Sequence, residues 1–138
     1  MMIPIILAIV ILLAMVTIHE FGHYIVARLF NVGIIEFSIG MGPKLFSWKG
    51  KKNLFSIRLL PIGGYVNMVG EYGTEDQELS EEDKNKPPFN QKPIWQRLLV
   101  VIAGPAMNVI LGLVLMFCIV LNMDVIGSLT IGGFANSE

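Results

Sequence analysis

The sequence holds one cysteine, Cys118, and two histidines, His19 and His23. A single thiol excludes an internal disulfide, and its place in an apolar run suits a small packed hydrophobe. Charge is scarce: Asp, Glu, Lys and Arg make up 15% of residues against 54% hydrophobic, the composition of a membrane protein rather than a soluble one. Residues 1–27 and 98–138 contain no Lys or Arg. No basic face is available to nucleic acid, so no nucleic-acid partner is expected. Residues 3–18 carry no charge of either sign. With no basic residue ahead of it, and longer than the roughly 7–15-residue core of a secretory signal, this run reads as a retained membrane anchor. A length of 138 residues allows one modest domain.

Into that uncharged run the sequence sets Thr17-Ile18-His19-Glu20-Phe21-Gly22-His23. On a helix His19 and His23 lie one turn apart on the same face, so both imidazoles can reach one metal ion. Glu20 lies on the same side. This is H-E-x-x-H, in which two His bind zinc and the Glu acts as general base. On a soluble helix the same letters can be two surface histidines beside a solvated Glu. The apolar setting favours the metal: a charged residue deep in a membrane helix costs about 2.5–3.5 kcal/mol and marks a functional site. Zinc binding, worth on the order of 10 kcal/mol, covers that cost. Zn2+ is therefore the expected cofactor, with His19 and His23 as ligands and Glu20 as the catalytic group.

The expected architecture is a mainly α membrane protein. Its two transmembrane helices are joined by a membrane-associated β-hairpin region and a polar loop. The divisions are 1–30 for the first span, 31–70 for the hairpin region, 71–96 for the loop, 97–123 for the second span and 124–138 for a tail. The first span itself reads as Ile3 to Phe30. Gly22 suits close helix packing or a role beside the ligands. Gly40-Met41-Gly42-Pro43 and Pro61-Ile62-Gly63-Gly64 are chain breakers. Between them Lys44–Trp48 and Leu54–Leu60 read as strands joined by residues 49–53, with a further strand over Tyr65–Val69. Phe37, Leu45, Phe46, Trp48 and Phe55 exceed what a lone hairpin needs, so the hairpin is expected to dip into the membrane; the alternative is a small soluble sheet. The acidic stretch from Glu71 to Asp83 reads as a solvated loop with a short helix near Ser80–Lys84. The second span reads as Leu98 to Leu121. In it Gly104, Asn108 and Gly112 recur every four residues on one face, either a packing seam or a surface that brings Asn108 to the metal site. All ten Lys and Arg lie between Arg28 and Arg97. The positive-inside rule then places residues 31–96 in the cytoplasm, with the N-terminus and the tail outside.

Taken together, these residues resemble the site-2 protease family of intramembrane zinc metalloproteases, of the bacterial regulator of sigma-E protease type. The likeness rests on His19-Glu20-Phe21-Gly22-His23, Phe37-Ser38-Ile39-Gly40-Met41-Gly42 and Pro61-Ile62-Gly63-Gly64-Tyr65-Val66. Phe89-Asn90-Gln91-Lys92 and Ala103-Gly104-Pro105-Ala106-Met107-Asn108 follow in the family's order. The resemblance implies a multi-pass protein of the cell membrane that cuts transmembrane segments of other proteins, of the anti-sigma factor or signal-peptide remnant type. It implies that Gly40 and Gly42 belong to a β element lining the substrate path, and that Asn108 supports the site.

One part of the pattern is missing. Relatives complete the zinc site with an Asp in an Asp-Gly pair on a later helix, and this sequence has no Asp followed by Gly. Asp124 falls past the second span, on the side opposite the site, and is rejected as a ligand. The chain is therefore expected to be the N-terminal portion of a longer protease. Alone it should bind zinc weakly and show little activity, with residues 127–138 opening a PDZ domain. The alternative is a non-catalytic membrane module, a pseudoprotease or regulatory subunit. Metal transport is disfavoured because the second span offers no further His or acid.

Overall fold

The computed structural model describes residues 2–50, 53–71 and 85–122. Along the chain run helix α1 (Met2–Leu29), strand β1 (Ile34–Lys49), strand β2 (Leu54–Met68), a 3-10 turn at Phe89–Gln91 and helix α2 (Ile94–Asn122). The residues near 80–84 expected to form a short helix, and the tail with Asp124, lie outside the described residues.

Both helices are long and apolar enough to cross a membrane, and large apolar side chains stand exposed along both. At the C-terminus of α1, Asn31 takes the left-handed conformation, φ 55°. Val32 N–H then reaches back to the Ala27 carbonyl at 2.9 Å and Asn31 N–H to that of Arg28 at 3.0 Å, the paired bonds of a Schellman motif. Lys92 Nζ caps the Phe30 carbonyl at 2.7 Å. Helix α2 starts earlier than the expected Leu98, because the Pro93 carbonyl accepts from the N–H groups of Gln96 and Arg97. Pro105 lies inside α2 and deprives the Val101 carbonyl of its intrahelical partner.

The two strands run straight through both predicted breakers. Gly40, Gly42 and Gly63 all take positive φ, so the breakers bend the ladder without ending it. Each bent strand is used twice. Residues 36–39 pair with 67–64 on one side and with 54–57 on the other, while 54–58 also pair with 49–44. The central segment, from Ile34, was not foreseen as a strand. It is buried almost throughout, so the alternation that would betray a half-exposed strand is absent. Its Ile34 and Phe37 join Val66 and Met68 of β2, Ala27 of α1, Val32 and Val100 of α2 in one apolar core. Tyr24 fastens α1 to the sheet: its ring lies edge-on to Phe37 at 5.6 Å and its hydroxyl donates to Asn53.

The bends are pinned by Arg58. It donates from Nε to Ser38 Oγ at 2.9 Å, from Nη1 to the Gly42 carbonyl at 2.7 Å, and from Nη2 to Glu36 at 3.1 Å and to the Tyr65 hydroxyl. Glu36 also accepts from Ser56 and pairs with Lys44 at 3.4 Å. Burial alone would raise the Glu36 pKa, but the hydrogen bonds from Ser56 and Arg58 and the charges of Lys44 and Arg58 outweigh it and hold the carboxyl below its ordinary value of 4.5. A depressed folded-state pKa contributes stability above pH 4.5 that is lost as pH falls through the folded value. Thermal melts in detergent should show wild type losing stability on acidification below that point and Glu36→Gln losing less. Arg58→Met, which leaves the carboxylate buried and unpaired, should cost about 3–5 kcal/mol at neutral pH.

Candidate metal centre

α1 and α2 cross where both lack a side chain. A Cβ on Gly22 would sit 2.7 Å from Met107 Cγ and closer still to the Ala103 carbonyl oxygen. A Cβ on Gly104 would sit 2.6 Å from His19 Nε2 and closer still to His23 Nε2. Both Nε2 atoms therefore converge on the hollow that Gly104 leaves open. The rings meet edge-on, with centroids 4.9 Å apart.

The opposite ring nitrogens are held by α2. His23 Nδ1 lies 2.7 Å from the Val100 carbonyl. A carbonyl only accepts, so Nδ1 carries the proton and the Nε2 lone pair is free. Asn108 holds His19 Nδ1 at 3.1 Å through its amide. With the amide nitrogen facing the ring, Asn108 Oδ1 is buried without a partner. Turning the amide over lets Oδ1 accept from His19 Nδ1–H and frees the second Nε2. Each imidazole then donates outward and offers a lone pair inward, the usual setting of a metal-ligating histidine.

Glu20 lies against the sheet. A Cβ on Gly64 would come within 3.2 Å of Glu20 Cγ and 3.6 Å of Val16. The sequence marked Gly64 as part of a breaker and of a family motif; what it supplies is room for β2 beside the Glu20 side chain. Gly40 packs on the Leu60 carbonyl and Gly42 gives its own carbonyl to Arg58, so the structure shows both shaping the bend of β1. Asn108 is brought to the His pair. A Cβ placed on Gly112, on the same stripe, would meet nothing within 4 Å, so this glycine is no part of the helix contact. A cavity of about 440 Å³ is lined by Glu36, Lys44, Arg58 and Tyr65 among others. Its lining includes none of His19, Glu20 or His23, and Glu36, Arg58 and Tyr65 already bond to one another.

Two features were invisible in the sequence. The Val100 carbonyl carries no residue-type signal. Glu71, read as the start of a solvated loop, is half-buried, and burial raises its pKa above the ordinary value of 4.5.

Two imidazole nitrogens facing one hollow fit a zinc ion as part of a larger ligand set. Among the described residues no group of three His, Cys, Asp or Glu is arranged to hold a metal. The model of peptidase family M50 matches residues 7–134.

The chain belongs to peptidase family M50, the site-2 protease family. Among the proteins it is similar to is a provisionally named zinc metalloprotease of Thermotoga maritima, 44% identical over 85% of this chain and 23% of the relative. Similarly named proteins are 46% identical in Clostridium acetobutylicum, over 93% of this chain and 35% of the relative, and 42% identical in Fusobacterium nucleatum, over 80% and 30%. The chain thus spans about a quarter to a third of the length of these relatives.

A methyl group at Gly104 would fill the hollow between the two Nε2 atoms. Gly104→Ala in the full-length protein should weaken zinc binding by about tenfold or more. Metal content after dialysis, read beside helicity by circular dichroism, checks this.

Proposed function

We propose that this M50 chain is the N-terminal part of an intramembrane zinc metalloendopeptidase that carries out regulated proteolysis of transmembrane segments of other membrane proteins. The observation that carries the reading is the convergence of His19 and His23 Nε2 over Gly104, on an apolar helix that also bears Glu20. His19 and His23 would hold the zinc. A bound zinc would supply Lewis-acid chemistry, polarising the scissile carbonyl and making water at the site more acidic. Val100 and Asn108 fix the ring orientations from outside. The Glu20 carboxylate takes the proton from the attacking water and returns it to the leaving amide nitrogen. The third protein ligand, an Asp by the family resemblance, is assigned to the part of the protein beyond this chain.

A transmembrane helix hides its amides in its own hydrogen bonds and must open before it can be cut. Residues 64–67 pair with 36–39 on one side, and no strand among the described residues covers their other side. That edge lies beside Glu20, and an extended substrate segment could pair along it. An apolar cleft of about 300 Å³, lined by Met15, Ile18, Asn108 and Leu111 among others, supports a lateral approach toward Asn108, which holds His19. The exposed Leu45, Phe46, Leu59 and Ile62 of the bent strands support a hairpin that dips into the membrane. Substrates of the anti-sigma factor or signal-peptide remnant type follow from the family resemblance.

In the full-length protein Glu20→Gln should lower cleavage of a reporter transmembrane substrate by roughly 10²–10⁴-fold while zinc content stays at the wild-type level. Undiminished cleavage would remove Glu20 as the base. The charge distribution supports a cytoplasmic location for residues 31–96. Reporter fusions at residues 75 and 135 should then report inside and outside respectively, and the reverse result would overturn the topology.

A further inference from the structure

Pairing within the sheet decides which side chains share a face. Cross-strand partners point the same way, and neighbours along a strand point opposite ways. Phe37 pairs with Val66 and Ile39 with Gly64. Phe37 meets Tyr24 of α1, and Gly64 lies against Glu20, so these positions form the face toward α1 and the metal pair. Glu36 pairs with Asn67 and Ser38 with Tyr65, so Tyr65 and Asn67 stand on the far face. The cavity of about 440 Å³ lies on that side, lined by Glu36, Lys44, Lys49, Arg58, Tyr65 and Asn67 among others. The edge at 64–67 therefore has Glu20 on one face and this cavity on the other.

The charges lining the cavity do not balance. Lys44, Lys49 and Arg58 stand against one acid, Glu36. Glu36 is 6% exposed and already engages Ser56, Arg58 and Lys44. The Arg58 donors are taken by Ser38, Gly42, Glu36 and Tyr65. Lys44 differs: its side chain is 44% exposed, and its 3.4 Å contact with Glu36 engages one donor of an ammonium that has three. An acidic side chain carried on a transmembrane segment needs such a partner, since an unpaired charge in hydrocarbon is costly.

We propose that this cavity is a specificity subsite for an acidic side chain of the substrate, with Lys44 as the residue that selects it. A segment paired along 64–67 alternates its side chains between the two faces. One set points toward Glu20, and the other passes Tyr65 and Asn67 toward the cavity, where Lys44 meets an aspartate or glutamate. The inference rests on the metalloprotease reading and on pairing at that edge, and it adds a substrate preference that the metal centre itself does not set.

The test uses the full-length protein in proteoliposomes with a reporter transmembrane segment. A glutamate is moved residue by residue through the cut region, with glutamine at the same positions as control. The kcat/KM ratio of glutamate to glutamine reporter should reach about tenfold, the worth of one charge-assisted hydrogen bond, at positions two apart and not between them. Lys44→Met should bring that ratio to one, and Lys44→Arg should keep it. Both reporters meet the same enzyme, so a general loss of folded protein cancels in the ratio. A wild-type ratio of one at every position would overturn the proposal. So would a preference for glutamate that Lys44→Met leaves intact, or one without the alternation. Wild-type protein that cuts neither reporter would instead sink the metalloprotease reading itself, and the subsite with it.

Discussion

The close crossing of α1 and α2 at Gly22 and Gly104 is the contact on which the rest of this structure depends. Two helices without side chains at the crossing can approach until backbone meets side chain. At that separation the Val100 carbonyl and the Asn108 amide reach the histidine rings of the other helix. Neither helix builds the site alone: α1 contributes the imidazoles, and α2 contributes the empty volume they face and the groups that hold their Nδ1 atoms. In a hydrocarbon setting an unheld imidazole or carboxylate is costly. The crossing holds the Nδ1 atom of each histidine against a group of α2.

The sheet holds the other side. Tyr24 and Arg28 of α1 both reach Asn53 at the turn between the strands, and Tyr24 also meets Phe37 and Phe55. Gly64 then brings β2 against Glu20. The polar network of Glu36, Ser38, Ser56, Arg58 and Tyr65 spans the bent segments and fixes where the edge at 64–67 runs. Such a buried ion pair is a poor source of net stability. Its value here is geometric, because the bends at Gly40–Pro43 and Pro61–Gly64 would otherwise have several ways to fold.

How much of this was legible in the sequence depended on whether the signal was local. The two helices were readable because long uncharged runs have few other uses, and the metal pair because its spacing is one helical turn. The Gly104–Asn108 spacing announced a helix contact, yet only the fold could say that Gly104 makes room for the imidazoles while Gly112 touches nothing. The strand beginning at Ile34 was hidden by its own burial on both faces. The breakers were read as strand ends because proline and glycine carry the same letters in a bend as in a turn. Glu71 was lost in an acidic run, since nothing in a charge pattern tells which of its members is drawn under the protein.

In the proposed reading the chain contributes a pair of nitrogen ligands, His19 and His23, with Glu20 as a base alongside, set into an apolar helix. The direct measurement is zinc-edge X-ray absorption on the full-length protein loaded with one equivalent of zinc. The account requires two imidazole nitrogens at about 2.0–2.1 Å, with one lost on His19→Ala and the other on His23→Ala. A zinc spectrum free of imidazole scattering, or one indifferent to both substitutions, would contradict it.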